Sequence, residues 1–286
     1  RKRFVIPSDA VNKEVFIHFE AIMGKQKFYL NGQLVKENAG GYLPDTIDLS
    51  SFGTHAGDTC QLAVMADNSN DKSYPPGKTQ YTLDFAYHGG IYRDVWMICK
   101  NKLAITDAIG AKKVAGGGVF VHFDNISSEN ADVYVDTELH NNHSTTRTVV
   151  LETTITDKSG VLIKKIVSKS SVKAGESKTI HQKTHILKPQ LWSPESPDLY
   201  HVNLMVKEGK TNIDGGYVRI GIRKAEFRGK EGFWLNDKPY GQLIGGNRHQ
   251  DFAYVGNALP NSQQWRDVKR LRSEERRVGK ECRSRW

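Results

Sequence analysis

The stretch "KFYLNGQLV" at 27–35 decides the fold class. Two short apolar-rich runs flank Asn31 and Gly32, and both of these residues tolerate the positive φ that a two-residue hairpin turn requires. The segment therefore reads as two antiparallel strands. Just upstream, "EVFIHFEAI" (14–22) sets Val15, Ile17 and Phe19 on one face and Phe16, His18 and Glu20 on the other. That period of two marks a half-buried strand. "CQLAVMAD" (60–67) and "GGIYRDVWMIC" (89–99) read as further strands, and the long polar stretch "DNSNDKSYPPGKTQ" (67–80) reads as a loop between them. Residues 1–101 are thus expected to form an antiparallel β-sandwich.

A second set of strand-like runs follows: "LAITDAIGAKKV" (103–114), "GGVFVHFD" (117–124), "ADVYVDTELHN" (131–141), "TVVLETTITD" (148–157), "KKIVSKSSV" (164–172), "KTIHQKTHI" (178–186) and "LYHVNLMVKE" (199–208). Seven short strands with a turn signal every ten or so residues fit an immunoglobulin-like sandwich over 102–227, without the Cys–Trp–Cys frame of antibody domains. "LWSPESPDLY" (191–200) carries two prolines and reads as an extended crossing segment rather than a ladder strand.

The pattern changes after Arg228. "GFWLNDKPYGQLIGGNRHQD" (232–251) reads as a short hairpin followed by a buried strand. In "LPNSQQWRDVKRLR" (259–272), Pro260 stops the preceding chain, Asn261 or Ser262 can cap a helix, and Trp265, Val268 and Leu271 recur on one face. One strand and one helix cannot bury their apolar faces alone, so 228–272 is expected to open a domain that this sequence does not complete.

Composition excludes several classes. No run of about eighteen apolar residues exists to cross a membrane as a helix. The formal charge of +9 is scattered along strand faces and turns rather than gathered into a stripe with interleaved aromatics, so nucleic acid is not an expected partner. Cys60 and Cys99 sit in apolar runs and Cys282 has no evident partner, which leaves no disulfide framework and no Cys/His metal spacing. The pair His249 and Asp251 lacks the third ligand a metal site needs. The opening "RKRFVIPSDAV" has no apolar signal core, reads as a chain entered mid-domain, and leaves the compartment open.

Four motifs occur in order: "YHGGIYRDVWM" (87–97), "LWSPESPDLY" (191–200), "RIGIRKAEFRGKEGFWLNDKP" (219–239) and "GNRHQDFAYVG" (246–256). In this combination the chain resembles glycoside hydrolase family two, in its β-galactosidase branch, over essentially all of 1–272. The resemblance implies a sugar-binding jelly roll over 1–101, an immunoglobulin-like domain over 102–227, and the first strand and helix of a catalytic (β/α)8 barrel over 228–272. It implies retaining hydrolysis by two carboxylates about 5 Å apart. In the family the acid/base Glu follows an Asn, and no Asn-Glu dipeptide occurs in this sequence. Both catalytic carboxylates are therefore expected beyond this piece, which should be inactive alone.

Two substrate-contacting residues carry over from the resemblance. Asp84, six residues before Gly90, matches an aspartate that reaches the family's active site and in some members helps hold sodium. His249 matches a histidine that hydrogen-bonds the sugar, at the carboxyl end of the first barrel strand. Arg248 and Asp251 are read as orienting that loop, Arg93 and Asp94 as making ionic contacts, and Trp192 and Trp234 as packing between domains. The expected partner is a terminal β-galactoside. The parent is expected to be homo-oligomeric and to use a sodium or magnesium ion, with no cofactor held by this piece. β-Glucuronidase of the same family is the alternative, although those relatives tend to carry Lys where Arg248 stands. A non-catalytic carbohydrate-binding β-sandwich is the alternative from another class.

The last residues, "SEERRVGKECRSRW" (273–286), depart from the family pattern and resemble the translation of a sequencing adapter. They are expected to be a non-native tail without functional weight.

Overall fold

A computed structural model describes the chain apart from residues 244, 246–247 and 283–286 and the side chains of 272–282. The described part is mostly β, and its contacts divide it into two compact units: residues 1–9, 15–98 and 247–286 in one, 10–14 and 99–246 in the other.

The first unit holds β1 (Lys2–Val5), β2 (Lys13–Phe19), β3 (Ile22–Leu30), β4 (Gln33–Gly40), β5 (Asp45–Asp48), β6 (Thr59–Asp67), β7 (Gly90–Ile91) and β8 (Val95–Asn101), of which β2 and β8 run across the unit boundary. Strands β1-β6-β3-β4 make one antiparallel sheet, with β7 also pairing β3, and β5-β2-β8 make the other. Asn31 and Gly32, both at positive φ (50° and 90°), turn β3 into β4. The alternation of β2 is realised: Val15, Ile17 and Phe19 are buried while Phe16 and His18 are half-buried. Phe19 meets Phe28 of the other sheet with ring centroids 5.2 Å apart, so one aromatic pair joins the two layers.

The second unit contains β9 (Leu103–Ile105), β10 (Val119–Asp124), β11 (Asn130–Asn141), β12 (Arg147–Thr156), β13 (Leu162–Val172), β14 (Ser177–Leu187), β15 (Tyr200–Glu208) and β16 (Thr211–Ile220). Strands β10-β11-β14, with β9 on β11, face β13-β12-β15-β16 across a core that includes Val133, Leu151, Val202 and Ile222. In place of a disulfide, a buried polar link joins the sheets. Thr153 Oγ1 donates to Gln182 Oε1 at 2.6 Å, and Gln182 Nε2 reaches the Leu151 carbonyl and Ser168 Oγ. A small antiparallel sheet of β17 (Ala225–Phe227), β18 (Phe233–Leu235) and β19 (Lys238–Gly241) follows, with Asn236 and Asp237 at positive φ in its hairpin turn.

Several expectations change. The run at 89–99 is two strands, β7 and β8, interrupted over 92–94. The run at 103–114 is a strand only over Leu103–Ile105; Thr106 and Lys113 instead hydrogen-bond the buried carboxylate of Glu138, which turns the chain away from the ladder. Strand β16 is an addition the pattern did not give. The strand expected before His249 is not formed by the described residues of 242–251, and residues 244 and 246–247 lie outside the described part. The expected helix is present as α1 (Asn261–Cys282), continuous in its backbone past residue 272. Its stripe of Trp265, Val268 and Leu271 is exposed, in line with an apolar face that one strand and one helix cannot bury alone.

Candidate functional site

The loop between β6 and β7 carries Asp84, and buried neighbours decide how it presents that residue. Leu83 and Tyr87 pack with Ala21, Met23 and Tyr92, while Asp84 and Phe85 between them stay exposed. The loop is pinned on both sides of its tip. Tyr87 Oη donates to Asn70 Oδ1 at 2.9 Å, Gln80 Nε2 donates to the Tyr87 carbonyl at 3.0 Å, and Lys25 pairs with Asp71 at 2.6 Å. Hydrogen bonds from Lys25 and from Ser73 hold the Asp71 carboxyl well below the usual carboxylate range. Gly89 permits a close pass, since a Cβ there would lie 2.6 Å from the Asn68 side chain.

The segment carrying His249 packs onto this loop at two points. The imidazole of His249 meets the Phe85 ring edge-on, with centroids 6.4 Å apart and planes at 89°. Seven residues on, Gly256 lies against the His88 ring; a Cβ there would stand 2.8 Å from it. A turn closed by the Phe252–Gly256 backbone pair shapes this second contact, and Gly256 itself sits at φ 55°. Asp84 and His249, 165 positions apart in sequence, therefore lie on two segments in mutual contact. Both side chains are exposed.

Helix α1 fastens the same segment from behind. The Arg248 guanidinium donates to Gln264 Oε1 at 3.1 Å and pairs with Asp267. Gln263 Nε2 donates to the other Asp267 oxygen at 2.7 Å. The guanidinium beside it holds the Asp267 carboxyl below its ordinary value. The start of α1 is tied to the β7–β8 turn, where Asn261 Nδ2 donates to Asp94 Oδ2 at 3.0 Å. A polar pocket of about 590 Å³ opens beside these ties, lined by Glu20, Arg93, Asp94, Arg248, Asn257 and Gln264 among others.

Other sequence-derived residues find different places. Asp94 accepts from the Asn261 amide, Arg93 lies over the Tyr92 ring at 5.6 Å, and among the described residues neither makes an ion pair. Trp192 is covered by Arg223 at 5.1 Å and Trp234 by Arg228 at 3.9 Å, both within the second unit. Among the described residues, no group of three or more His, Cys, Asp or Glu gathers in a way that could hold a metal ion. Phe85, His88 and Gly256 escaped the sequence reading, because nothing local marks a contact made across so many residues.

The family model for the sugar binding domain of glycosyl hydrolases family 2 matches residues 1–101, and a second model, glycosyl hydrolases family 2, matches 118–223. The chain belongs to glycosyl hydrolases family 2. The family's matched regions fall on the two sandwiches described above. A β-galactosidase of Thermoanaerobacter pseudethanolicus is 30% identical over 274 residues, covering 96% of this chain and 34% of that protein. A β-glucuronidase of Formosa agariphila is likewise 30% identical, over 91% of this chain and 27% of that protein. Among solved structures, Bacteroides uniformis β-glucuronidase superposes with a TM-score of 0.84 at 30% identity, over 95% of this chain and 31% of that one. The chain thus spans about a third of the length of the curated relatives it matches.

Proposed function

We propose that this chain is the N-terminal part of an exo-acting retaining glycosidase that hydrolyses terminal β-galactosides. In this reading the first sandwich is a sugar-binding jelly roll, residues 228–272 open a (β/α)8 barrel, and the acid/base and nucleophilic carboxylates are supplied outside this chain. Asp84 and His249 contact the substrate. An exposed carboxylate accepts hydrogen bonds from sugar hydroxyls, an imidazole can donate or accept one, and the face of the partly exposed Phe85 ring suits a sugar's C–H groups. The whole enzyme uses a sodium or magnesium ion.

The observation that carries the reading is the edge contact between Phe85 and His249, since it sets the Asp84 loop against the segment of His249. In the full-length protein, Asp84→Ala and His249→Ala are expected to lower kcat/KM on an aryl β-galactoside by about a hundredfold with the fold intact. Unchanged kinetics in both variants would refute the assignment. A second reading, β-glucuronidase, is favoured by the relative and the solved structure of that name, each as similar to this chain as the β-galactosidase. Comparing kcat/KM for aryl β-galactoside and aryl β-glucuronide on the same enzyme separates the two.

A further inference from the structure

Among the described residues, the segment 248–251 is held by side-chain contacts. No backbone hydrogen bond joins residues 248–251 to another described residue; the first such contact is the Phe252–Gly256 pair. The position of the imidazole therefore depends on side chains. On one side stands the Phe85 ring. On the other, the adjacent Arg248 is fixed by two residues one turn apart on α1, Gln264 and Asp267, and Asp267 is itself held by Gln263. The Arg248 and Asp267 side chains are only 25% and 18% exposed, so this pair is shielded more than an ordinary surface bridge. Helix α1 is in turn tied to the β7–β8 turn by Asn261 and Asp94.

We infer that Arg248 is a positioning residue: clamped to Gln264 and Asp267 of α1, it sets where His249 stands against the Asp84 loop. The planar guanidinium offers several donors in fixed directions, so it can bind the amide oxygen and the carboxylate at once, which a lysine ammonium does with less directional constraint. The clamp fixes the main chain at 248, and the next side chain inherits that position. A displacement of about 1 Å at a substrate-contacting group is enough to cost a large factor in rate. The inference rests on the proposed substrate role of His249 for its importance, but its test does not need that role.

The test follows the His249 ring protons by NMR in the full-length protein, with His249→Gln used for assignment. Phe85→Leu removes the ring current and defines the shift of an unpacked imidazole. Arg248→Met and Asp267→Asn are expected to move His249 toward that value and leave the other histidines in place, while Arg248→Lys keeps much of the native shift. Should Arg248→Met fail to fold, Asp267→Asn and Arg248→Lys carry the comparison. A His249 signal unmoved by the clamp variants, in a protein where Phe85→Leu does move it, would overturn the inference. In the full-length enzyme, Arg248→Met is expected to lower kcat/KM about tenfold, with partial recovery in Arg248→Lys. If His249→Ala leaves catalysis unchanged while the shifts behave as stated, the substrate reading falls and the positioning role stands.

Discussion

The second sandwich and the segment 248–256 are held by opposite means. In the sandwich, alternate residues of β11, β12 and β15 disappear into one core, and each side chain is fixed by many apolar neighbours. In the segment, exposed and half-buried residues are fixed by a few named partners: Phe85, His88, Gln264 and Asp267. The first arrangement spreads its stabilisation over many contacts and tolerates little change in volume. The second leaves polar groups facing solvent, where a ligand can reach them, and makes their placement depend on single contacts.

Substitutions should expose this difference, most strongly in the core. Leu151→Ala empties a fully buried site and is expected to cost about 2–5 kcal/mol in chemical denaturation. Thr153→Ala leaves the buried Gln182 Oε1 without its donor and should cost about 1–3 kcal/mol. Replacing both partners, as Thr153→Val with Gln182→Leu, should recover much of that loss. Equal losses in the single and double variants would mean the polar link is not acting as a pair. Gly256→Ala strains a residue at φ 55° and drives a methyl into His88. It is expected to cost about 1 kcal/mol, while shifting the His88 and His249 resonances well beyond what that small loss implies. A Gly256→Ala chain with native histidine shifts would contradict the packing described.

The smallest expected effect is one of pH. Asp267 has its carboxyl depressed in the folded chain by Arg248, so the clamp's contribution is complete above the ordinary carboxylate value of 3.8 and is lost as the pH falls through the lowered one. The His249 shift should therefore show a step in acid that follows the loss of the clamp. Asp267→Asn should abolish that acid step.

Much of the first contrast was legible in the sequence. The Asn31-Gly32 turn and the alternation from Glu14 to Phe19 specify their hairpin and strand locally, although the strand expected to reach Ile22 ends at Phe19; the sandwiches follow from repeating that pattern. Strand β16 was not legible, because "DGG" at 214–216 looks like a turn. Gly216 instead faces Ile105, Leu204 and Val119, where a Cβ would lie 3.4–3.5 Å from each, so glycine there serves close packing. The helix at 261 was legible from its cap and spacing, and the exposure of Trp265 agrees with a strand and helix that cannot bury their apolar faces alone. Of the site, Asp84 and His249 came from motif resemblance alone. Their juxtaposition came from Phe85 and His88, whose partners lie far along the chain and leave no local signal.

The claim that two distant segments form one sugar-contacting site is tested most directly by a double-mutant cycle in the full-length protein. Asp84→Ala, His249→Ala and their combination would be assayed for kcat/KM on an aryl β-galactoside and an aryl β-glucuronide. Each single variant is expected to lose about a hundredfold on the preferred substrate, and the double far less than the product of the two. Full activity in either single variant, or losses that simply multiply, would contradict a shared site.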